Sequence, residues 1–207
     1  MSTTRWDVGL TWRSVLVTPA AELAVPLAYV RDAVLRVTNG TVEDEFIERA
    51  IRAATEACEE ETQTAVMPQT WAMVLSGFPA SGLIELVRPP FLSLTSLDYY
   101  DTDHVSQTLT LGSPGETSVL VSPSGRYARS LLRPVPGTLF PGTAIREDAV
   151  TVTFACGYAT AEAVPPILVS GICLFVGELY KQRSLSQVGT SISAAPLDTT
   201  RFWKRVW

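Results

Sequence analysis

The chain has 207 residues, of which 46% are apolar and 18% charged, and its formal net charge is -5. That composition excludes a disordered chain, and the acidic balance excludes a protein that coats nucleic acid through a basic face. The length suits one domain, or one domain carrying an inserted second, and a chain of this size buries roughly 70% of its unfolded surface without staples.

The first eighteen residues alternate loosely between polar positions and Trp6, Val8, Leu10 and Trp12, then reach Val15-Leu16-Val17. Two tryptophans in a polar leader predict an arm that packs on its own subunit or on a neighbour. The leader has no hydrophobic core of the kind a signal peptide carries.

Pro26 opens a stretch in which Leu27, Val30, Val34 and Val37 follow a helical period. This predicts a short helix over 26–36, stopped by Asn39-Gly40. Thr41 and Asp44 stand at capping-box spacing, so a second helix is expected over 42–63. One face of it carries Phe46, Ile47, Ala50, Ile51, Ala54, Ala57 and Cys58, and its alanines permit close helix approach. Glu59-Glu60-Glu61 lies at its C-terminal end, where the dipole disfavours acids, so it reads as a solvated end or as an edge facing a partner or lumen.

From Met67 to Tyr158 turn signals recur every few residues, which predicts an antiparallel β region. Strands are expected at 69–75, 83–87, 94–100, 106–111, 118–121, 127–132 and 149–155, in a small sandwich or barrel-like insertion. Within this region Asp101, Asp103 and His104 form the sequence's one candidate metal-like cluster. A polar hairpin turn explains them better, because aspartate favours turns.

The second apolar centre is 153–183. Pro165-Pro166 opens a helix whose apolar residues, Ile167, Leu168, Ile172, Cys173, Leu174, Phe175, Val176 and Leu179, run nearly all round. Such a helix is expected to be buried on every side, at the centre of a domain or against a neighbouring subunit. The apolar run is shorter than the ~20 residues that span a bilayer. Residues 184–200 are rich in Ser, Thr and Ala and read as a linker. Behind them Arg201, Phe202, Trp203, Lys204, Arg205, Val206 and Trp207 read as a tail that either docks into a partner or neighbouring subunit or folds back onto its own domain, since a free aromatic tail is an exposed apolar liability.

The fold class expected is therefore α+β. A small helical body of three main helices (19–66 plus 159–183) carries an inserted β domain (67–158), an N-terminal arm (1–18) and an extended linker and tail (184–207). Cys58, Cys156 and Cys173 are an odd, widely spaced set with apolar neighbours, expected as buried free thiols in a soluble intracellular protein. No Walker A, GxGxxG, HExxH or GxSxG motif is present. No catalytic residue, metal ligand or cofactor is expected.

The order of the motifs carries more than any one of them. PLxxVRDxVLRV is followed by EDEFI, an alanine-rich helix ending at Thr62, and Gln69-Thr70-Trp71. Phe78-Pro79, Arg88-Pro89-Pro90 and Tyr99-Tyr100-Asp101 come next, then Gly157-Tyr158, Pro165 and Tyr180. Over residues 22–183 this series resembles the head–tail connector (adaptor) family of tailed bacteriophages and gene transfer agents. The chain departs from the pattern in its long Pro/Gly-rich stretch at 112–142 and its aromatic terminus.

The resemblance implies a structural virion protein without catalytic residues, found in host cytoplasm during assembly and then at the head–tail interface. It implies a ring, typically dodecameric, docked beneath the portal protein and presenting a surface to the stopper or tail-completion protein. DNA would pass through the lumen without specific binding, which suits an acidic chain. Within that picture Arg201, Phe202, Trp203, Lys204, Arg205 and Trp207 are the candidate portal-docking residues. Phe46, Ala50, Ala54, Ile172, Phe175 and Leu179 are the candidates for packing within or between subunits. A stopper or tail-completion protein of the same assembly is the nearest alternative, and a small-ligand or carbohydrate-binding β module is the alternative of another class.

Overall fold

A computed structural model describes residues 10–37, 41–109, 119–122 and 129–187, with side chains to residue 182. It divides into two compact units. One comprises residues 1–19 and 68–157, and the other residues 20–67 and 158–207.

The helical unit begins with α1, an α-helical turn at Leu27–Tyr29 that continues as a wider π-helical turn over Val30–Leu35. Arg36, in the left-handed region at φ 54, ends it, ahead of the Asn39-Gly40 stop, which lies outside the described residues. α2 spans Asp44–Thr62. The capping box expected at its start does not form, because the Asp44 carboxylate is taken by Arg31 Nη1 at 3.1 and 3.2 Å. Gln63, with φ 53, closes α2. α3 spans Pro166–Gln187, entered through a 3-10 turn at Ala161–Ala163. The core is the buried set Val30, Ile47, Ala50, Ile51, Ala54 and Cys58 against Leu168, Ile172, Phe175 and Val176, completed by Val66, Met67 and Tyr158.

The β unit contains two antiparallel sheets. The larger has the order β1-β2-β8-β4-β5, formed by Trp12–Thr18, Gln69–Leu75, Val150–Cys156, Phe91–Tyr100 and Ser106–Thr108. The smaller has the order β3-β7-β6, formed by Ile84–Glu85, Leu131–Pro134 and Val119–Ser122. Alternation decides which face is inside. Met73 and Leu75 of β2 stand opposite Val152 and Val150 of β8, all fully buried, and the intervening Val74 and Thr151 are half-exposed. Phe154 is the largest fully buried side chain of this face. β4 is the irregular member, with register shifts at Phe91/Ser93 and Leu94/Ser96.

One sequence expectation is corrected here. The β region is not a closed barrel, because among the described residues the large sheet ends in β1 on one side and β5 on the other. Residues 12–18, expected within an arm that packs on its own subunit or on a neighbour, form a strand of the large sheet. They pair along β2 from Trp12↔Leu75 to Leu16↔Trp71, because the run Val15-Leu16-Val17 has the β-branched, apolar character of a strand.

Candidate assembly surfaces

The sequence-selected packing residues fall into the helical unit's own core. Ala50 and Ala54 of α2 and Ile172 and Phe175 of α3 are buried, and Phe46 and Leu179 pack half-buried at its margin. Ala50 and Ala54 add little side-chain bulk to the core that α2 and α3 share. Phe46 meets Tyr180 edge-on at 6.3 Å, and the Tyr180 hydroxyl donates to Glu43 Oε2 at 2.6 Å. The start of α2 is thereby tied to the end of α3. Arg31 adds a second tie, from α1, through Asp32 at 2.8 Å and Asp44 at 3.1 Å. Both hydrogen bonds favour its charged form and raise the guanidinium pKa, and the Asp32 carboxyl is lowered in turn.

The acidic end of α2 divides by role. Glu59 turns inward, and its Oε1 accepts the Val66 N–H at 2.6 Å, closing the loop after the helix. Glu60 and Glu61 remain exposed. Cys58 beneath them is buried, and burial followed by the Glu59 charge pushes its thiol up to about 12.

α3 is not buried on every side. Leu168, Ile172, Phe175 and Val176 face the core, whereas Ile167 is 41% and Leu174 59% exposed. Its apolar girdle exceeds what one chain's core can cover, so two of its large residues reach the surface.

In the β unit the candidate metal cluster is a turn. Asp101 Oδ1 accepts the N–H groups of Val105 at 2.9 Å and Asp103 at 3.0 Å, and Oδ2 accepts Gln107 Nε2 at 3.0 Å. The Gln107 bond first, then the backbone donors, hold the Asp101 carboxyl below the usual range. His104 takes the left-handed position at φ 61. Among the described residues no three His, Cys, Asp or Glu side chains gather as a metal site, and no helix is long and apolar enough to cross a membrane.

The loop between β7 and β8 is held at two points. Phe140 stacks on Phe78 at 4.3 Å, itself against Tyr99, and Arg146 lies 3.7 Å above the Tyr100 ring while pairing with Asp148. The Arg146 hydrogen bond keeps the Asp148 carboxyl low. Each preceding one of these anchors, Leu139 and Ile145 are almost wholly exposed. Nearby, Thr11, Trp12, Arg13, Val74 and Glu147 line a shallow notch.

β1 is exposed along nearly its whole length. Val15 is 47%, Leu16 43% and Val17 54% accessible. Sequence reading missed this row, though its signal was present: three consecutive apolar residues cannot all face one side of a sheet. Leu139 and Ile145 had no comparable signal, because they lie singly in a loop. The tail residues Arg201, Phe202, Trp203, Lys204, Arg205 and Trp207 lie outside the described residues.

The exposed apolar residues of β1, α3 and the β7–β8 loop stand at the surface, and solved structures share the fold.

The fold is that of chains in gene transfer agent particles.

A chain in the neck of an empty gene transfer agent particle, determined with C6 symmetry, superposes with a TM-score of 0.69 at 20% identity, covering 94% of both chains. A chain in the virion of a native gene transfer agent particle gives 0.67 at 21% identity over 93% of each chain. A chain in the neck of a native particle, determined with C12 symmetry, gives 0.64 at 20% identity over 94% of each. No family model matches the chain, and no curated protein matches it in sequence. The likeness therefore lies in the fold, at an identity too low for sequence to carry it.

The positions that carry the sequence resemblance share a structural character. Gly157, at φ 114, turns the chain out of β8, and its N–H donates to Pro90 O at 2.8 Å. Arg88, before those prolines, lies 4.7 Å above the Trp71 ring. Asp44, Phe46 and Tyr180 make the ties between helices described above, and Pro165 O accepts from Leu168 N–H at the start of α3. They are joint residues, which fix where elements begin and end.

Proposed function

We propose that this chain is a structural protein of the neck of a phage-like particle, the adaptor between capsid and tail. The observation that supports it is the correspondence of both units, over 94% of each chain, with chains of gene transfer agent necks. The C6 and C12 symmetries of those necks support a ring of copies, dodecameric in the fuller form. The exposed apolar residues of β1, α3 and the β7–β8 loop supply contact area without catalytic groups, so the chain acts by assembly and not as an enzyme.

In this reading the ring sits beneath the portal protein, joins it to the stopper or tail-completion protein, and leaves a lumen for DNA. The negative net charge disfavours contact with phosphate along such a channel. The basic and aromatic residues Arg201–Trp207 dock into the portal, since Trp and Arg dominate interface energetics. The chain resides in host cytoplasm until it joins the virion.

Removal of the gene tests the assignment. Particles made without this chain should accumulate as heads and tails that do not join, whereas joined, infectious or transfer-competent particles would contradict it. Deleting residues 201–207 should abolish binding to the portal while leaving the circular dichroism spectrum unchanged. Full binding by the truncated chain would remove the tail from the account.

A further inference from the structure

We propose that the outer edge of β1 is where the neighbouring copy of this chain docks in the ring, adding a strand to the five-stranded sheet. The inference rests on the ring reading above. β1 is an end strand of its sheet, and among the described residues only β2 pairs with it. In an antiparallel strand every second residue turns its N–H and C=O away from the existing partner, so an end strand offers a row of unmet groups.

Proteins usually disarm such an edge with lysine, proline, a bulge or an inward-pointing charge. Here Ser14, Val15, Leu16 and Val17 carry no charge and no proline, and the three apolar residues are exposed on both faces. The single register irregularity falls between Leu16 and Thr18, which leaves Trp12 to Leu16 in regular pairing. A strand laid along this edge gains main-chain hydrogen bonds and covers apolar side chains above and below it.

Two arguments select a second copy as the occupant. First, the chain is acidic, so copies set side by side repel one another wherever acids meet. The uncharged run from Ser14 to Val17 is a place where two such copies touch without opposing like charges. Second, a ring closes through two different patches on each subunit, not through one patch meeting itself. The large sheet has two unlike ends, the seven-residue apolar β1 and the three-residue polar β5. Pairing β1 with β1 of another copy would stop at a dimer, so the docked segment is a different part of the neighbour.

The test is hydrogen exchange on the full chain, compared between its free form and the ring, whether that ring forms alone or is isolated with particle necks. Amides within Arg13–Val17 should slow at least tenfold on ring formation. The double variant Val15→Lys, Val17→Lys should keep the circular dichroism spectrum and melting temperature of the parent. It should form rings at least tenfold less readily, while Val42→Lys, at an exposed position of the helical unit, forms them normally. Rings in which β1 exchanges at the free rate, or rings of normal yield from the double-lysine variant, would overturn the proposal and leave the neck assignment standing. Protection that appears only when another neck protein joins the finished ring would also overturn it. Failure of the parent chain to enter any ring would overturn the neck reading and this inference together.

Discussion

Individual side chains in this protein are chiefly closures and anchors. Cys58 shows how burial decides chemistry. It lies among apolar side chains of the helical core with a carboxylate as its sequence neighbour, and its pKa near 12 keeps it a neutral thiol at any physiological pH. In the folded chain Cys58 should resist alkylation at pH 8 and react only after denaturation. Rapid modification of Cys58 in the native chain would show the core to be open. Asp101 behaves oppositely. Its folded pKa is depressed, so its contribution to stability is present above the unfolded value near 4 and is lost as pH falls through the lower folded value. Asp101→Ala should therefore destabilise the chain at pH 7, and the gap from the parent should close in melting curves taken towards pH 3. A gap independent of pH would mean that the carboxylate contributes nothing to the turn. The turn itself was legible from Asp101, Asp103 and His104 as a cluster of turn formers. The inward rotation of Glu59 was not, because a run of three glutamates gives no sign of which one finds a buried N–H.

Elements were legible to the extent that their periodicity was unambiguous. β2 appears at Gln69–Leu75, the span its pattern predicts, and α2 lies within two residues of its expected start. β3 shrinks to Ile84–Glu85 because its partner β7 offers only Leu132 and Leu131 opposite them. The π-helical turn at Val30–Leu35 and the register shifts of β4 were illegible, since an extra residue in a ladder depends on what packs against it. α3 was read as buried either at the centre of a domain or against a neighbouring subunit, and one chain covers only part of it. Apolar residues all round it imply burial all round only if enough chain exists to cover them, and Ile167 and Leu174 are left outside. Its two sides should therefore differ under denaturant. Ile172→Ala should cost ~2–5 kcal/mol by loss of packing and cavity formation, while Leu174→Ser should stay within about 0.5 kcal/mol. Equal losses would contradict the burial described. In the β unit Phe154→Ala, at the centre of the large sheet, should cost ~3–5 kcal/mol in the same measurement. A loss below about 1 kcal/mol would mean that the core lies elsewhere.

At the scale of the whole chain, order mattered more than any site. Among the described residues no side-chain cluster gathers as a metal site. The series of joint residues from Pro26 to Tyr180 set the expectation of an adaptor, and the chain shares its fold with chains of gene transfer agent necks at 20% identity. The exposed apolar residues of β1 and α3 are the surface that the proposed ring would cover.

The most direct test of the neck assignment is an electron cryo-microscopy reconstruction of the particles made by cells that express this chain. The account predicts a closed ring of copies between the head vertex and the tail, with density that fits both the helical and the β unit. A resolved neck without this chain would contradict it.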